Sequence, residues 1–391
     1  MRHRTTTAIH LGDNMTIRFS EPYLAGLEHS YLAQALDSSV WHGDGDFTSR
    51  ATAWIAQRHE CEHVLLTTSC THALEMAQIL SDVGPGDEVI CPSFTFPSAA
   101  TAIVSRGAVP VFVDVRPDTL NVDLAAVEAA ITERTKAVCV VHYAGVGAQP
   151  DELAALLGPR GIVLIEDNAH GLGASWKGRM LGTFGDFGTQ SFHDTKNITS
   201  GEGGALLVGS DEHMARAEIL REKGTNRSAF LRGQVDKYTW VDQGSSYLPS
   251  DLLAALLMAQ LDRFEEIQRA RTKVWDSYDS GLQSWAKEVG ASLMHVPDEA
   301  DHPAHMFYLL MPSPQHQAGL IDHLAQRDVV AAFHYQPLDS SPAGRRFGRT
   351  PEACRVSADV AARLVRLPLH PGLGEVEIDR VLEATTSFPA A

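Results

Sequence analysis

Short apolar runs alternate with stretches whose apolar residues recur every three or four positions, and this alternation dominates residues 60 to 210. Runs at 63–67, 88–91, 109–115, 137–143, 162–166, 188–192 and 205–208 predict seven strands. Between the first four lie segments such as 73–80 and 124–131 with helical apolar spacing. Near-continuous apolar strands separated by amphipathic helices predict an α/β fold with a mostly parallel sheet covered on both faces. Asp118 and Asn121 mark the start of the 124–131 helix, and Pro150-Asp151 opens the next.

After residue 208 the pattern changes. One helical stretch runs over 250–277 on Leu252, Ala255, Leu256, Ala259 and Ile267. A strand at 306–311, a helix at 315–327, a strand at 329–335 and closing helices near 358–365 and 376–384 follow. Interleaved elements of that size predict a smaller α+β domain. The expected division is a disordered extension over 1–15, with Met15 a second candidate start, a large domain over 16–265 and a small C-terminal domain over 266–391.

Composition narrows the function. Hydrophobic residues are 44% and charged ones 21% of 391, the profile of an ordinary globular protein. The longest apolar runs are strand-sized and the first fifteen residues lack an apolar core, so neither a membrane span nor a secretory signal is predicted. A net charge of -17 argues against a general nucleic-acid-binding surface. The five cysteines show no C-x-x-C spacing, which argues against a zinc site or disulfide framework and points to a reducing cytoplasm. The 18 histidines are scattered without an H-E-x-x-H pattern, and no metal site is predicted.

Four places carry candidate chemistry. Lys196 lies in a loop after a buried strand, between Ser191 and the Gly-rich turn Gly201-Glu202-Gly203-Gly204. A buried lysine loses its proton more easily, and its neutral amine can bond covalently to an aldehyde. Asp167 follows the apolar run 162–166, at the carboxyl end of a central strand, where its carboxylate could pair with a protonated pyridine nitrogen. A ribose-binding role for Asp167 would need an upstream G-x-G-x-x-G, which is missing. Cys70 and Thr71 open a helix after another strand and offer backbone amides to a phosphate. Phe96, after the next strand, offers an aromatic face. Taken singly, each has an ordinary explanation: a solvated lysine, a capping Asp, a plain helix start, a core phenylalanine. Together they supply a covalent anchor, a ring-nitrogen partner, a phosphate cradle and a stacking face, the full requirement of pyridoxal phosphate.

Ser191-Phe192-His193 with Lys196-Asn197 and Gly201-Glu202-Gly203-Gly204 resembles the lysine motif of the DegT/StrS-type sugar aminotransferases, within fold type I of the pyridoxal-phosphate enzymes. The resemblance runs from about Ile17 to Phe388. It is closest to the dTDP-4-amino-4,6-dideoxygalactose transaminases, most tellingly from Arg221 through Trp240. It implies that Lys196 anchors the cofactor and moves the proton, Asp167 pairs with the pyridine nitrogen and Phe96 stacks on the ring. It implies that Cys70, Thr71 and Ser191 hold the phosphate and that His170 contacts the ring hydroxyl. Ser246 stands where many relatives use an Asn from the partner subunit, so a homodimer with shared active sites is implied. Arg227, Lys237 and Tyr238 are the implied contacts to a dTDP-sugar held by the neighbouring subunit, with His334 and Tyr335 as further candidates.

The implied reaction moves an amino group from glutamate to C4 of a dTDP-4-keto-6-deoxyhexose, giving the galacto or the gluco product. Relatives that remove a sugar hydroxyl replace the lysine with histidine, so Lys196 favours transamination. The alternatives are transfer at C3 or on another nucleotide sugar, and a non-catalytic sugar-nucleotide-binding protein on the same fold.

Overall fold

The computed structural model describes residues 16–389, so the expected 1–15 extension lies outside the described residues. All seven predicted strands form, each end within two residues of its apolar run: β1 (His63–Thr67), β2 (Glu88–Pro92), β3 (Val109–Val113), β4 (Thr135–Val141), β5 (Val163–Asp167), β6 (Phe187–Ser191) and β7 (Gly204–Val208). They make one sheet in the order β1-β7-β6-β5-β4-β2-β3. Strands β2 to β6 pair in parallel, whereas β7 runs antiparallel to both β6 and β1. The carboxyl ends of β1, β2, β4, β5 and β6 therefore share one edge with the amino end of β7. Register fixes that edge: Thr67 and Ser191 both pair with Gly204, and Asp167 pairs with Val141 and Thr189.

Local sequence explains the helix starts with one correction. Ser69 caps the Cys70–Leu80 helix, its hydroxyl accepting from the His72 amide at 3.1 Å. Asp123, rather than Asp118 or Asn121, caps Leu124–Ala130 by accepting from the Ala125 and Ala126 amides. Asp118 is held by Arg116, and buried Asn121 accepts the Tyr143 amide and donates to the Val146 carbonyl. Pro150 opens its helix as expected.

The single helix expected over 250–277 is two, Asp251–Leu261 and Phe264–Val289. The first is buried on nearly every side, while the second carries one buried stripe and crosses between two cores. The chain must reorient between these environments, and Asp262 marks the break, accepting from the Tyr31 hydroxyl at 2.6 Å.

The C-terminal body is built on β8 (Ser292–Leu293), β9 (Phe307–Leu310) and β10 (Leu364–Leu367), with β9 central and both pairings antiparallel. Strand β10 corrects the sequence reading, which carried a helix to residue 365; the helix is Arg355–Arg363. The 329–335 run is not a strand either. It makes single bridges, Val329 to Ile17 and Ala332 to Arg366, then leaves the sheet so that His334 and Tyr335 reach the large domain. The body's core joins the far part of the Phe264–Val289 helix to the Pro314–Ala325 and Glu375–Thr386 helices. Among the described residues no helix is long and apolar enough to cross a membrane.

Candidate active site

A cavity of about 440 Å³ opens where the carboxyl edge of the large sheet meets the C-terminal body. Nine residues chosen from the sequence line it: Cys70, Thr71, Phe96, Asp167, His170, Ser191, Lys196, His334 and Tyr335. Ser246, Arg227, Lys237 and Tyr238 do not line this chain's cavity. They lie on or beside the 222–246 arm, where Ser246 bridges Glu222 and Thr225 bridges Trp240. Arg227 sits 3.9 Å from Glu222, and Lys237, Tyr238 and Ser246 are exposed.

On the large-domain side, Gly204 lets β7 touch the start of the Cys70–Leu80 helix: a Cβ there would stand 2.5 Å from the Cys70 nitrogen. The helix thus presents its amino end to the cavity beside the buried Ser191. Thr71 is oriented by Ser98, the two hydroxyl oxygens lying 2.7 Å apart. This is an anion-binding arrangement. The carboxylate of Asp167 is buried, with Oδ1 accepting the Ala169 amide at 3.1 Å. Its neighbour Glu166 points to the opposite face, where His142 and the Gly182, Phe184 and Gly185 amides saturate it. Burial raises the Asp167 pKa, opposed by the Ala169 amide and the Lys196 charge. Burial brings Lys196 from 10.5 down to about 8, so a usable fraction of its amine is neutral near neutral pH.

The C-terminal side supplies His305, His334 and Arg366, which meet His170 of the large domain. The His170 and His305 rings stack at 4.4 Å, His170 and His334 face each other at 6.4 Å, and Tyr143 packs against both His170 and His334. Burial holds all three histidines neutral at ordinary pH, the charge of Lys196 adding to the effect. Their partners then fix the tautomers. The Ala144 amide donates to His170 Nδ1 at 3.3 Å, so the His170 proton is on Nε2, where the Tyr335 hydroxyl oxygen lies 3.5 Å away at the cavity wall. The Asn197 amide nitrogen donates to Gln268 and to the Pro303 carbonyl, so its oxygen accepts from His305 Nδ1 at 2.8 Å. Arg366 Nη1 donates to His334 Nε2 at 3.3 Å, so His334 Nδ1 donates to the Tyr143 hydroxyl at 2.9 Å.

Sequence reasoning missed Arg366 and His305. A signal for Arg366 existed, a lone cation inside the apolar run Leu364-Val365-Arg366-Leu367, but His305 carried none. Buried Arg271 fixes the loop bearing His305 by donating to the Ala304 and His305 carbonyls at 3.2 and 2.7 Å.

An anion site at a helix start, a buried carboxylate and a buried amine of lowered pKa fit the phosphate, ring nitrogen and aldehyde of pyridoxal phosphate in turn. Fold and cavity define a pyridoxal-phosphate-dependent aminotransferase of fold type I. Residues 22–386 match the model of the DegT/DnrJ/EryC1/StrS aminotransferase family, and the chain belongs to that family. It is 32% identical over 374 residues to the dTDP-4-dehydro-2,3,6-trideoxy-D-glucose 4-aminotransferase of Saccharopolyspora spinosa, covering 94% of this chain and 95% of that protein. The aminotransferase TlmJ from Streptoalloteichus hindustanus superposes with a TM-score of 0.87 at 30% identity, over 95% of this chain and 98% of that one. Spr1654 from Streptococcus pneumoniae, solved in its PLP form, gives 0.87 at 28% identity with the same coverage.

Proposed function

We propose that the protein transfers an amino group from glutamate to C4 of a dTDP-4-keto-6-deoxyhexose, giving a dTDP-4-amino-4,6-dideoxyhexose of galacto or gluco configuration. The observation that carries the reading is the convergence of Lys196, Asp167 and the Cys70–Leu80 helix start on one cavity at the carboxyl edge of the sheet. The choice of C4 and of a thymidine nucleotide is supported by the Saccharopolyspora spinosa relative, named as a 4-aminotransferase of a dTDP sugar, and by the resemblance over Arg221 to Trp240.

When bound, pyridoxal phosphate supplies the aldehyde that takes up the amine and the ring that delocalises the electrons left behind when a C–H proton departs. The protein's own residues do the rest. Lys196 holds the cofactor and then carries the proton to and from the reacting carbon, a role its lowered pKa suits. Asp167 pairs with the ring nitrogen. The Cys70 and Thr71 amides with the Ser191 hydroxyl hold the phosphate, His170 gives its Nε2 proton to the ring hydroxyl, and Phe96 covers the ring. His334 and Tyr335 wall the substrate side.

The arm carries exposed Leu231 and Trp240, 67% and 76% accessible, a surface suited to a second copy of the chain. In that homodimer Ser246 reaches the phosphate and Arg227, Lys237 and Tyr238 reach the sugar nucleotide of the neighbouring site. The five cysteines, all unpaired, suit work in the cytoplasm.

The test is an absorbance spectrum of the purified protein with pyridoxal phosphate, before and after glutamate, alongside Lys196→Ala. A visible cofactor–lysine band that glutamate bleaches and the variant never forms is expected. The bleached enzyme should then convert dTDP-4-keto-6-deoxyglucose to its 4-amino product, with stereochemistry read by NMR. A wild-type protein without the band sinks the aminotransferase reading. A bleached enzyme that leaves this substrate unchanged but aminates the 3-keto isomer at C3 corrects the position. A monomer that is fully active removes the shared-site proposal.

A further inference from the structure

The motif that carries Lys196 also carries Asn197, and the proposed chemistry leaves Asn197 without a task. The loop over 193–203 hangs from the carboxyl end of β6 by its own backbone. The Lys196 amide donates to the His193 carbonyl and the Ser200 amide to the Phe192 carbonyl, both at 2.9 Å. Those bonds seat the loop on the large sheet but do not set how far the amine stands from the opposite wall. Among the described residues, every hydrogen bond from this loop to the Phe264–Val289 helix or the C-terminal body is made by Asn197. Its side chain is buried and engaged throughout. Nδ2 donates to Gln268 Oε1 at 2.9 Å and to the Pro303 carbonyl at 2.6 Å, and Oδ1 accepts from His305 Nδ1 at 2.8 Å.

The 303–305 segment at the far end is itself clamped. Gln268 Nε2 donates to the same Pro303 carbonyl at 2.8 Å. A Cβ on Gly145, which has φ +81, would stand 2.3 Å from Pro303 Cδ. Ala304 is held at φ +47, a left-handed conformation that a side chain disfavours. Such a residue persists where its surroundings overdetermine it, and Arg271 does so by holding the Ala304 and His305 carbonyls. One amide thus ties the neighbour of Lys196 to a fixed segment that ends in a wall of the cavity.

The amine needs such a tie. Its pKa is lowered because it is buried, and a lysine has a flexible four-carbon stem that reaches water readily when its mount slackens. His193, Asp194 and Thr195, immediately before it, are exposed, so packing on that side does not keep the amine in. The charged and titratable groups acting on it are Cys70 and Asp167 from the large domain and Arg366 from the C-terminal body. The neutral His170, His305 and His334 stand around them.

We propose that Asn197 is a positioning residue: by joining the Lys196 loop to the 303–305 segment it keeps the amine inside the cavity, in register with both walls. The proposal rests on the aminotransferase reading above. Two measurements judge it on wild type, Asn197→Leu and Gln268→Leu. Leucine is close in volume and carries no charge, so it acts on the amine only through the lost bonds. The first measurement is the rate at which cofactor-free protein captures pyridoxal phosphate, followed at the visible band across pH. In wild type the rate should rise through about 8. Asn197→Leu should move that midpoint upward by about 1 pH unit, toward the value of an amine in water, and slow capture at pH 7 about tenfold. Gln268→Leu, which removes one bond to Asn197, should shift the profile the same way and slow capture about threefold. The second measurement is calorimetric binding of pyridoxamine phosphate, which has no aldehyde for Lys196 to bond. Its affinity should stay within about twofold of wild type in both variants.

A profile that does not move in Asn197→Leu overturns the proposal. So does a midpoint that stays near 8 while capture and pyridoxamine phosphate affinity fall by the same factor, since Asn197 then only supports the fold. Should Asn197→Leu fail to fold, Gln268→Leu decides by the same profile. A wild type that forms no band overturns the aminotransferase reading and this one with it, whereas a wild-type band with unmoved variants overturns this one alone.

Discussion

The two edges of the large sheet treat charge in opposite ways. At the amino edge, buried Glu88 opens β2 and is fully matched. It accepts from Thr132 at 2.8 Å, from Arg349 Nε and Nη2 at 2.8 and 2.6 Å, and from Arg134. Those partners tie the loop before β4 and the Arg349 segment of the C-terminal body to the sheet. At the carboxyl edge, Asp167 has one backbone partner for its carboxylate, burial lowers the Lys196 pKa to about 8, and Arg366 Nε is buried without a hydrogen-bond partner. A matched cluster stabilises; an unmatched one stores interactions for a ligand to complete. The contrast separates structural from chemical residues on one sheet without reference to any relative.

Three substitutions test that contrast. If Lys196 both anchors the cofactor and moves the proton, as proposed, Lys196→Ala should cut turnover on the order of 10⁴-fold or more, with little change in the melting temperature. Asp167→Asn should lower turnover roughly 100- to 1000-fold, again without unfolding, measured on protein saturated with pyridoxal phosphate. Glu88→Ala should do the reverse, lowering stability by about 3 kcal/mol in denaturant unfolding while turnover of the folded fraction holds. Equal losses of activity at both edges would erase the distinction.

Two pH dependences follow with opposite signs. Arg349 holds the Glu88 carboxyl below its ordinary 4.5, so its stabilisation is present above that value and is lost as pH falls through the depressed one. The difference in melting temperature between wild type and Glu88→Gln should therefore close in acid. Lys196 has the depressed pKa of a buried amine, and its neutral, reactive form grows as pH rises through about 8. Capture of pyridoxal phosphate by the cofactor-free protein, followed at the visible band, should speed up roughly tenfold between pH 7 and 9. A profile that climbs only toward 10.5 would place the amine in water rather than in the cavity.

How much of this was legible in the chain depended on distance along it. The strands were readable because β-branched apolar runs are local signals, and Asp167 and Lys196 because a residue just beyond a central strand lands at the ligand-binding edge. Errors arose where packing outvoted local pattern. The helical periodicity across Asp262 gave no sign that the first helix stays within one core while the second runs on from it into another. The 329–335 run looked like a strand, but it makes one bridge to β10 at Ala332 and then leaves the sheet, carrying His334 and Tyr335 to the cavity.

The chain alone was enough to read the seven-stranded α/β sheet and to place Asp167 and Lys196 at its carboxyl edge, because each rests on a few consecutive residues and the rule that parallel strands end on a common edge. Only the tertiary structure decided the far wall of the cavity. Arg366, His305, His334 and Tyr335 come from segments over a hundred residues beyond Lys196, and their meeting depends on how two cores pack against each other. Whether a buried charge is matched or waiting is a property of that meeting. No stretch of chain carries it alone.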